Sequence, residues 1–388
     1  MTPNEQPALK VNEYEQRAIS AQIKRGKTEN FEFALLGLFG ETGSLLSELK
    51  KKQRDANAYR GYAEAVLEEL GDTLWYLTVA AHRAGVSLTY LADTVVSGRG
   101  LEAKGDSTTF RDLQPGPVAA ERNEEFQRTL LALAGEVGLL LTDNQAARLS
   151  GNKDASAGRM KPILERLIAA ASEAGVTLNA AAAANLTKIN DRWPEARIYP
   201  PLFDDNFEPF EQLPRDLTID IFEETFGSNK YVYQRCGDLN IGDRLTDNID
   251  EPDDYRFHDV FHWSYAAKLG WSPVTRALLR TKRKSKSVVD EAQDGARAIL
   301  LEEGLTAWIF SQAKELEFFE GHSETSFGLL KMVRQFVHGY EANDCPLWLW
   351  EEAILDGYRA FRFLKKHRRG RLHVSLASRT IDIEALRR

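Results

Sequence analysis

The chain has 388 residues, 43% hydrophobic and 28% charged, with a formal net charge of −8 and two cysteines, Cys236 and Cys345. That length allows two or three domains, and that balance is a globular protein's. No apolar run approaches a membrane span, the acidic surface argues against general nucleic-acid binding, and two cysteines exclude a disulfide scaffold and fit a reducing cytoplasm. The opening MTPNEQPALKVNEYEQRA is polar and mixed in charge, unlike a secretory signal. No membrane partner is expected, and the expected location is cytoplasmic.

Residues 35–77 read LLGLFGETGSLLSELKKKQRDANAYRGYAEAVLEELGDTLWYL. Two acidic helical segments flank a basic, polar connection. Glu41 and Glu48 are two helical turns apart and share a face; Glu69 and Asp72, three apart, share another. Packed antiparallel, the two helices bring four carboxylates together. Such a cluster repels itself unless it holds a cation, and carboxylate oxygens suit Mg²⁺ or Mn²⁺. Lys50, Lys51 and Lys52 follow the first helix. They read either as cations favoured by a helix C-terminus or, for Lys51 or Lys52, as a partner for phosphate.

GLFGETGSLLSELKK followed by LEELGDTLWYL resembles the MazG-type all-α nucleoside triphosphate pyrophosphohydrolases. In that family a first helix carries Glu-x-x-Glu and a second carries Glu-x-x-Asp. Glu69-Leu70-Gly71-Asp72 matches the second motif. Glu41 stands at the first position of the first motif, and Ser44 stands where its second glutamate is expected. The resemblance implies catalytic Glu41, Glu69 and Asp72, with Glu41, Glu48, Glu69 and Asp72 as ligands of one or two Mg²⁺ ions. Glu41 or Glu69 would activate the attacking water. It also implies a nucleoside triphosphate substrate and a homodimer or higher homo-oligomer.

Glycine and proline cluster at 97–117, 149–159 and 192–209, the last interrupted by Pro194, Pro200, Pro201 and Pro209. Between these breaks the first half repeats itself. ALLGLFGETGSLLSEL (34–49) recurs as TLLALAGEVGLLLTDN (129–144), and AGVSL (84–88) as AGVTL (174–178). The second copy keeps Glu136 and has Asp143 in place of Glu48, but Leu139 follows where a ligand would stand, and 163–176 lacks the acidic pair. It reads as catalytically degenerate. Its closing segment, AAAANLTKINDRWP, places Asn185, Lys188 and Arg192 on one helical face. The resemblance implies that this face meets the nucleotide; an ordinary solvated stripe has the same spacing. The expected organisation is a helical repeat with the acidic site over 1–105, a degenerate repeat over 106–200, and a helical domain over 201–388. The fold class is all-α, since few segments alternate with a strand's period.

The second half carries DDYRFHDVFHWSYAAKLGW (253–271), with His258, Asp259 and His262 close on one helix. Downstream, Glu302 and Glu303 lie on a long helical stretch. RFHDVFH and LEEG resemble the C-terminal extension fused to some MazG-type proteins. Three readings fit: a second metal-dependent phosphohydrolase site with His258, Asp259, His262 and Glu302 or Glu303 as ligands; a sensor for a nucleotide; or core histidines paired to Glu302 and Glu303. The basic runs at 276–287 and 365–373 read first as solvated segments.

No P-loop, GxSxG elbow, paired CxxC or GxGxxG is present. The function expected is metal-dependent hydrolysis of nucleoside triphosphates to monophosphate and pyrophosphate. The alternatives are a nucleotide-binding sensor that has lost catalysis and a phosphohydrolase whose site lies in the second half.

Overall fold

A computed structural model describes residues 7–24, 30–115, 123–149, 151–247 and 251–386. The chain divides into two compact units, Met1–Glu195 and Ala196–Arg388. The first contains helices α1 (Val11–Lys24), α2 (Phe31–Asp55), α3 (Tyr62–Arg83), α4 (Leu88–Gly98), a single turn α5 (Phe110–Leu113), α6 (Asn123–Gln145), α7 (Lys153–Glu173) and α8 (Leu178–Arg192).

Local chemistry sets these boundaries. Asn30, Ser87, Asn152 and Thr177 each cap a helix by accepting from a backbone N–H of its first turn. On α2 the buried Ala34, Leu35, Leu38, Leu45 and Leu49 recur at helical spacing and form one stripe. On α3 burial covers more of the circumference, because α2, α7 and α8 all pack against it. A Cβ added to Gly37 would lie 2.0 Å from the Tyr76 ring, so α2 and α3 approach at a position that only glycine permits. The segments expected as two domains, 1–105 and 106–200, share one core running from Val11 through Leu133 and Leu164 to Leu186.

The second unit is mixed. Strands β1 (Asp216–Phe226), β2 (Asn229–Cys236) and β3 (Leu239–Asn240) are followed by helices α9 (Asp259–Leu269), α10 (Pro273–Leu279), α11 (Ser287–Ala292), α12 (Ala296–Lys314), α13 (Phe327–Phe336) and α14 (Leu347–His367). Strands β4 (Arg369–Ser375) and β5 (Thr380–Glu384) close the chain. The strands form one antiparallel sheet in the order β3-β2-β1-β4-β5, with Ile219 opposite Cys236 on one side and Leu372 on the other. Ile219, Ile221, Val232, Leu372, Val374 and Ile381 are buried in a core shared with α9 and α14. The protein is therefore mostly helical, with a small sheet in its second unit that the sequence reading did not place. Every residue of α9 is buried, as befits a helix enclosed on all sides. Among the described residues no single helix is long and apolar enough to cross a membrane.

Candidate functional sites

Glu41 projects from α2, and Glu69 and Asp72 from successive turns of α3. Each offers one carboxylate oxygen, and these oxygens all lie within 4.8 Å of one another, so the three could hold a metal ion. Glu41 and Glu69 face each other, so that when one is protonated it can bond the other. Burial, then the bond to Glu41, pushes the Glu69 carboxyl up to about 8. Burial and the charge of Asp72 raise Glu41 as well, and Ser44 contributes a hydrogen bond that opposes the rise.

Asp72 is held from α8. Asn185 Nδ2 donates to Asp72 Oδ1 at 2.9 Å, and Lys188 pairs with Asp72 Oδ2 and, at 2.8 Å, with Glu68. Tyr14 of α1 donates its hydroxyl to Asn185 Oδ1 at 2.9 Å. With its carbonyl oxygen taken, the Asn185 amide must turn its N–H groups toward Asp72. Gly71 makes this possible: a Cβ there would lie 2.8 Å from the Ala181 carbonyl oxygen and 2.9 Å from Asn185 Cβ. Burial raises the Asp72 carboxyl, with Lys188 working against it. Burial alone would lower Lys188, but Asp72 and Glu68 hold it above its ordinary value.

The other expected site residues of this unit fall elsewhere. Glu48 is outside the three-carboxylate cluster; Lys51 pairs with it at 2.6 Å, and the Tyr59 hydroxyl donates to it. Lys52 stands 5.3 Å from the centre of the Tyr62 ring, and Arg192 is buried with its guanidinium 4.7 Å over Trp193. Tyr14 and Glu68 join the site without having been read from the sequence. The signal for Tyr14 was a tyrosine on the apolar face of an amphipathic helix, whose hydroxyl needs a partner once buried.

In the second unit His258 and His262 flank one turn at the start of α9, facing Glu302 and Glu303 on α12. His262 is fully buried, and its Nδ1 lies 2.8 Å from Glu302 Oε1. Glu302 also accepts from Ser272 Oγ at 2.7 Å and from the Val274 N–H at 2.9 Å. His258 Nδ1 bonds the Tyr255 carbonyl at 2.9 Å while its ring stacks on Tyr255. His258 Nε2, His262 Nε2 and a Glu303 oxygen lie within 4.8 Å of one another. Asp259 sits beside them, Oδ1 3.4 Å from His258 Nε2, its other oxygen accepting from Gln234. Burial would depress the His262 imidazole, but the Glu302 and Glu303 carboxylates raise it to about 10. At 3.5 Å the Glu303 contact is an ion pair rather than a hydrogen bond.

Comparison with known families decides the second unit. Residues 198–387 match the family model of the MazG C-terminal domain. The second half of the chain belongs to the MazG C-terminal domain family. That membership is consistent with a MazG-type protein and suggests a hydrolase of the nucleotide pyrophosphohydrolase type. No curated protein and no solved structure matches the chain.

Within the MazG C-terminal domain the two basic runs are solvated at Arg280, Lys284, Lys286, Lys365, Lys366 and His367, but not throughout. Arg276 and Arg283 are buried; Arg276 pairs with Asp204 at 2.7 Å, and Arg283 with Asp294 and Glu341, each at 2.6 Å. In the second run Arg368 ends α14 and pairs with Glu223 and Asp254, while Arg371 on β4 meets Asp220 across the strand pair. The N-terminal repeat supplies a further contrast. Counting from AGVSL to AGVTL, an offset of 90, Arg159 and Pro162 stand where the first copy has Glu69 and Asp72. Arg159 pairs with Asp143, so the second copy holds an ion pair where the first holds mutually repelling acids.

Proposed function

We propose that the N-terminal unit hydrolyses nucleoside triphosphates to a monophosphate and pyrophosphate. The observation that carries this reading is the convergence of Glu41, Glu69 and Asp72, with Asp72 clamped by Asn185 and Lys188. Three half-buried acids whose pKa values are all raised are a costly arrangement for structure alone and a useful one for function.

The donor set is all oxygen, which fits a hard divalent cation, Mg²⁺ or Mn²⁺. Such an ion, held by Glu41, Glu69 and Asp72, would neutralise phosphate charge and make water easier to deprotonate. The chain's own contributions follow from position. Asn185 and Lys188 hold Asp72 in one orientation and stabilise its charged form. Glu41 or Glu69, ionised when the cation is held, would orient a water and take its proton. In-line attack of that water at the α-phosphorus breaks the bond to the bridging oxygen and releases pyrophosphate. Lys188 is committed to Asp72 and Glu68 and Lys51 to Glu48, so Lys51 or Lys52 would meet the leaving pyrophosphate only by giving up its present contact with Glu48 or Tyr62.

A second reading draws on Ser44, which replaces a carboxylate of the family motif: a unit that binds the nucleotide and reports it without turnover. A screen of ribo- and deoxyribonucleoside triphosphates with Mg²⁺ or Mn²⁺, products separated by chromatography, decides between the two. Monophosphate plus pyrophosphate, abolished in Glu69→Ala/Asp72→Ala and kept in His258→Ala/His262→Ala, is the expected result. Nucleotide binding without turnover would favour the sensor.

A further inference from the structure

The MazG C-terminal domain holds a second group of ligands that the chemistry above does not use. His262 is wholly buried, yet its Nε2 has no hydrogen-bond partner. A buried imidazole nitrogen whose nearest acid, Glu303, stands beyond hydrogen-bond distance is expensive and calls for an explanation. Its ring cannot swing away. Nδ1 is fixed to Glu302, and Glu302 is in turn fixed by Ser272 Oγ and the Val274 N–H. His258 is constrained in the same manner, with Nδ1 on the Tyr255 carbonyl and the ring stacked at 4.4 Å on Tyr255. Both histidines therefore present Nε2 to one point, and Glu303 Oε2 faces it, 3.5 Å from His262 Nε2 and 3.7 Å from His258 Nε2.

Those separations are too long for hydrogen bonds. They are close to what a shared ion requires: two ligands each about 2.0–2.1 Å from a tetrahedral centre lie roughly 3.3 Å apart. Histidines four apart on one helix, each with its second nitrogen held by an acceptor, are the arrangement by which proteins orient imidazoles toward a metal. Two imidazoles and one carboxylate select a transition ion rather than Mg²⁺ or Ca²⁺. Glu303 is 37% exposed in its side chain while His262 is 0% exposed, so the group is closed on the protein side and open on the other. We propose that His258, His262 and Glu303 bind one divalent transition ion of the zinc class. The site keeps a solvent-facing position and has Asp259 beside it. It is separate from the acidic cluster of the N-terminal unit and independent of the function proposed for that cluster.

The test uses the full-length chain, stripped with chelator and titrated with Co²⁺, whose visible absorption reports nitrogen ligation and low symmetry. The expected result is one Co²⁺ per chain with that spectrum, displaced by Zn²⁺ and not by excess Mg²⁺. It should be unchanged in Glu69→Ala/Asp72→Ala. Because His262 is fully buried and its loss can unfold the unit, the variants that decide are His258→Gln and Glu303→Gln, which lie nearer the surface. Each should weaken Co²⁺ at least about tenfold while leaving circular dichroism unchanged. Absence of the spectrum in the wild type, equal affinity in both variants, or loss of binding only in Glu69→Ala/Asp72→Ala would overturn the assignment.

Discussion

Asn185 on α8 donates to Asp72 on α3 at 2.9 Å, across 113 positions of sequence. The contact ties the acidic motif of the first repeat to the polar face of the second. Asn185 is itself oriented by Tyr14, so the direction of one amide decides how Asp72 is presented. Tyr14→Phe should leave the fold intact at a cost of about 1 kcal/mol, since one buried bond is lost. Turnover should fall roughly tenfold, because a group that orients a ligand is weakened. Steady-state kinetics against Mg²⁺ concentration, with urea unfolding alongside, checks both halves. Turnover equal to wild type would remove Tyr14 from the site.

The acid cluster should make the metal-free protein less stable as pH rises. Glu69 titrates near 8 in the folded state against an ordinary value of 4.5, and Glu41 and Asp72 are raised as well. Between those limits the folded chain binds more protons than the unfolded chain, so the slope of stability against pH is negative. Below 4.5 the penalty is absent, and above about 8 it is complete. Glu69→Gln should flatten the slope and stabilise the metal-free protein at the alkaline end, and Mg²⁺ or Mn²⁺ should do the same for the wild type. Urea unfolding across this range gives the answer; stability that climbs with pH over the window would contradict it.

Ser44 bonds Glu41 from the position where the family motif has a carboxylate. Ser44→Glu should tighten Mn²⁺ roughly tenfold, since affinity follows the number of charged ligands. The same change should lower the melting temperature of the metal-free protein by adding a fourth mutually repelling acid. Calorimetric titration with Mn²⁺ and thermal unfolding with and without the ion would be run together. Unchanged affinity would exclude Ser44 from the ligand shell.

Two glycines on neighbouring helices should respond in opposite senses. At Gly71 a methyl group would strike the Ala181 carbonyl oxygen, so Gly71→Ala should cost about 1–3 kcal/mol. It should also lower turnover by moving Asn185 off Asp72. At Gly40 a methyl meets open space within α2, and Gly40→Ala should stabilise the unit by about 0.5–1 kcal/mol. Equal effects at the two positions would mean that α3 and α8 are not as close as described.

In the second unit Asp294→Ala should be severe. It leaves Arg283 with Glu341 alone and strips Arg276 of a neighbouring charge inside the core. Removing one member of such a buried pair costs about 3–5 kcal/mol. Thermal unfolding followed by tryptophan fluorescence is informative, because Trp263, Trp271 and Trp350 are all buried in this unit. A loss under 1 kcal/mol would place it with surface ion pairs instead.

Helical spacing made part of this legible beforehand. Glu69 and Asp72, three apart, had to share a face, and so did Asn185 and Lys188; the structure brings these pairs together. Glu48 obeyed the same spacing relative to Glu41, yet Lys51 one turn on and Tyr59 beyond the helix end took its carboxylate, and spacing says nothing of such competition. The sheet was obscure because β1 alternates cleanly only around Ile219 and Ile221, its remaining positions being Leu217 and a mix of acids, threonines and phenylalanines with mixed exposure. β4 hid within a basic run because Arg371 finds its partner, Asp220, 151 positions away. Arg276 and Arg283 were misread for a related reason: Asp204 and Glu341 are 72 and 58 positions away, and a run of cations looks solvated until its anions are known.

The order in which the chain leaves the ribosome gives the contact between α3 and α8 a temporal meaning. Glu41, Glu69 and Asp72 emerge together, but Asn185 and Lys188 follow more than a hundred residues later. Until then the nascent chain carries three acids without the amide and lysine that hold Asp72, and the Leu70–Gly71 surface uncovered. A product cut short within α7 would possess every residue of the ELGD motif and none of the groups that restrain it, so translation itself acts as the last check before the site is complete.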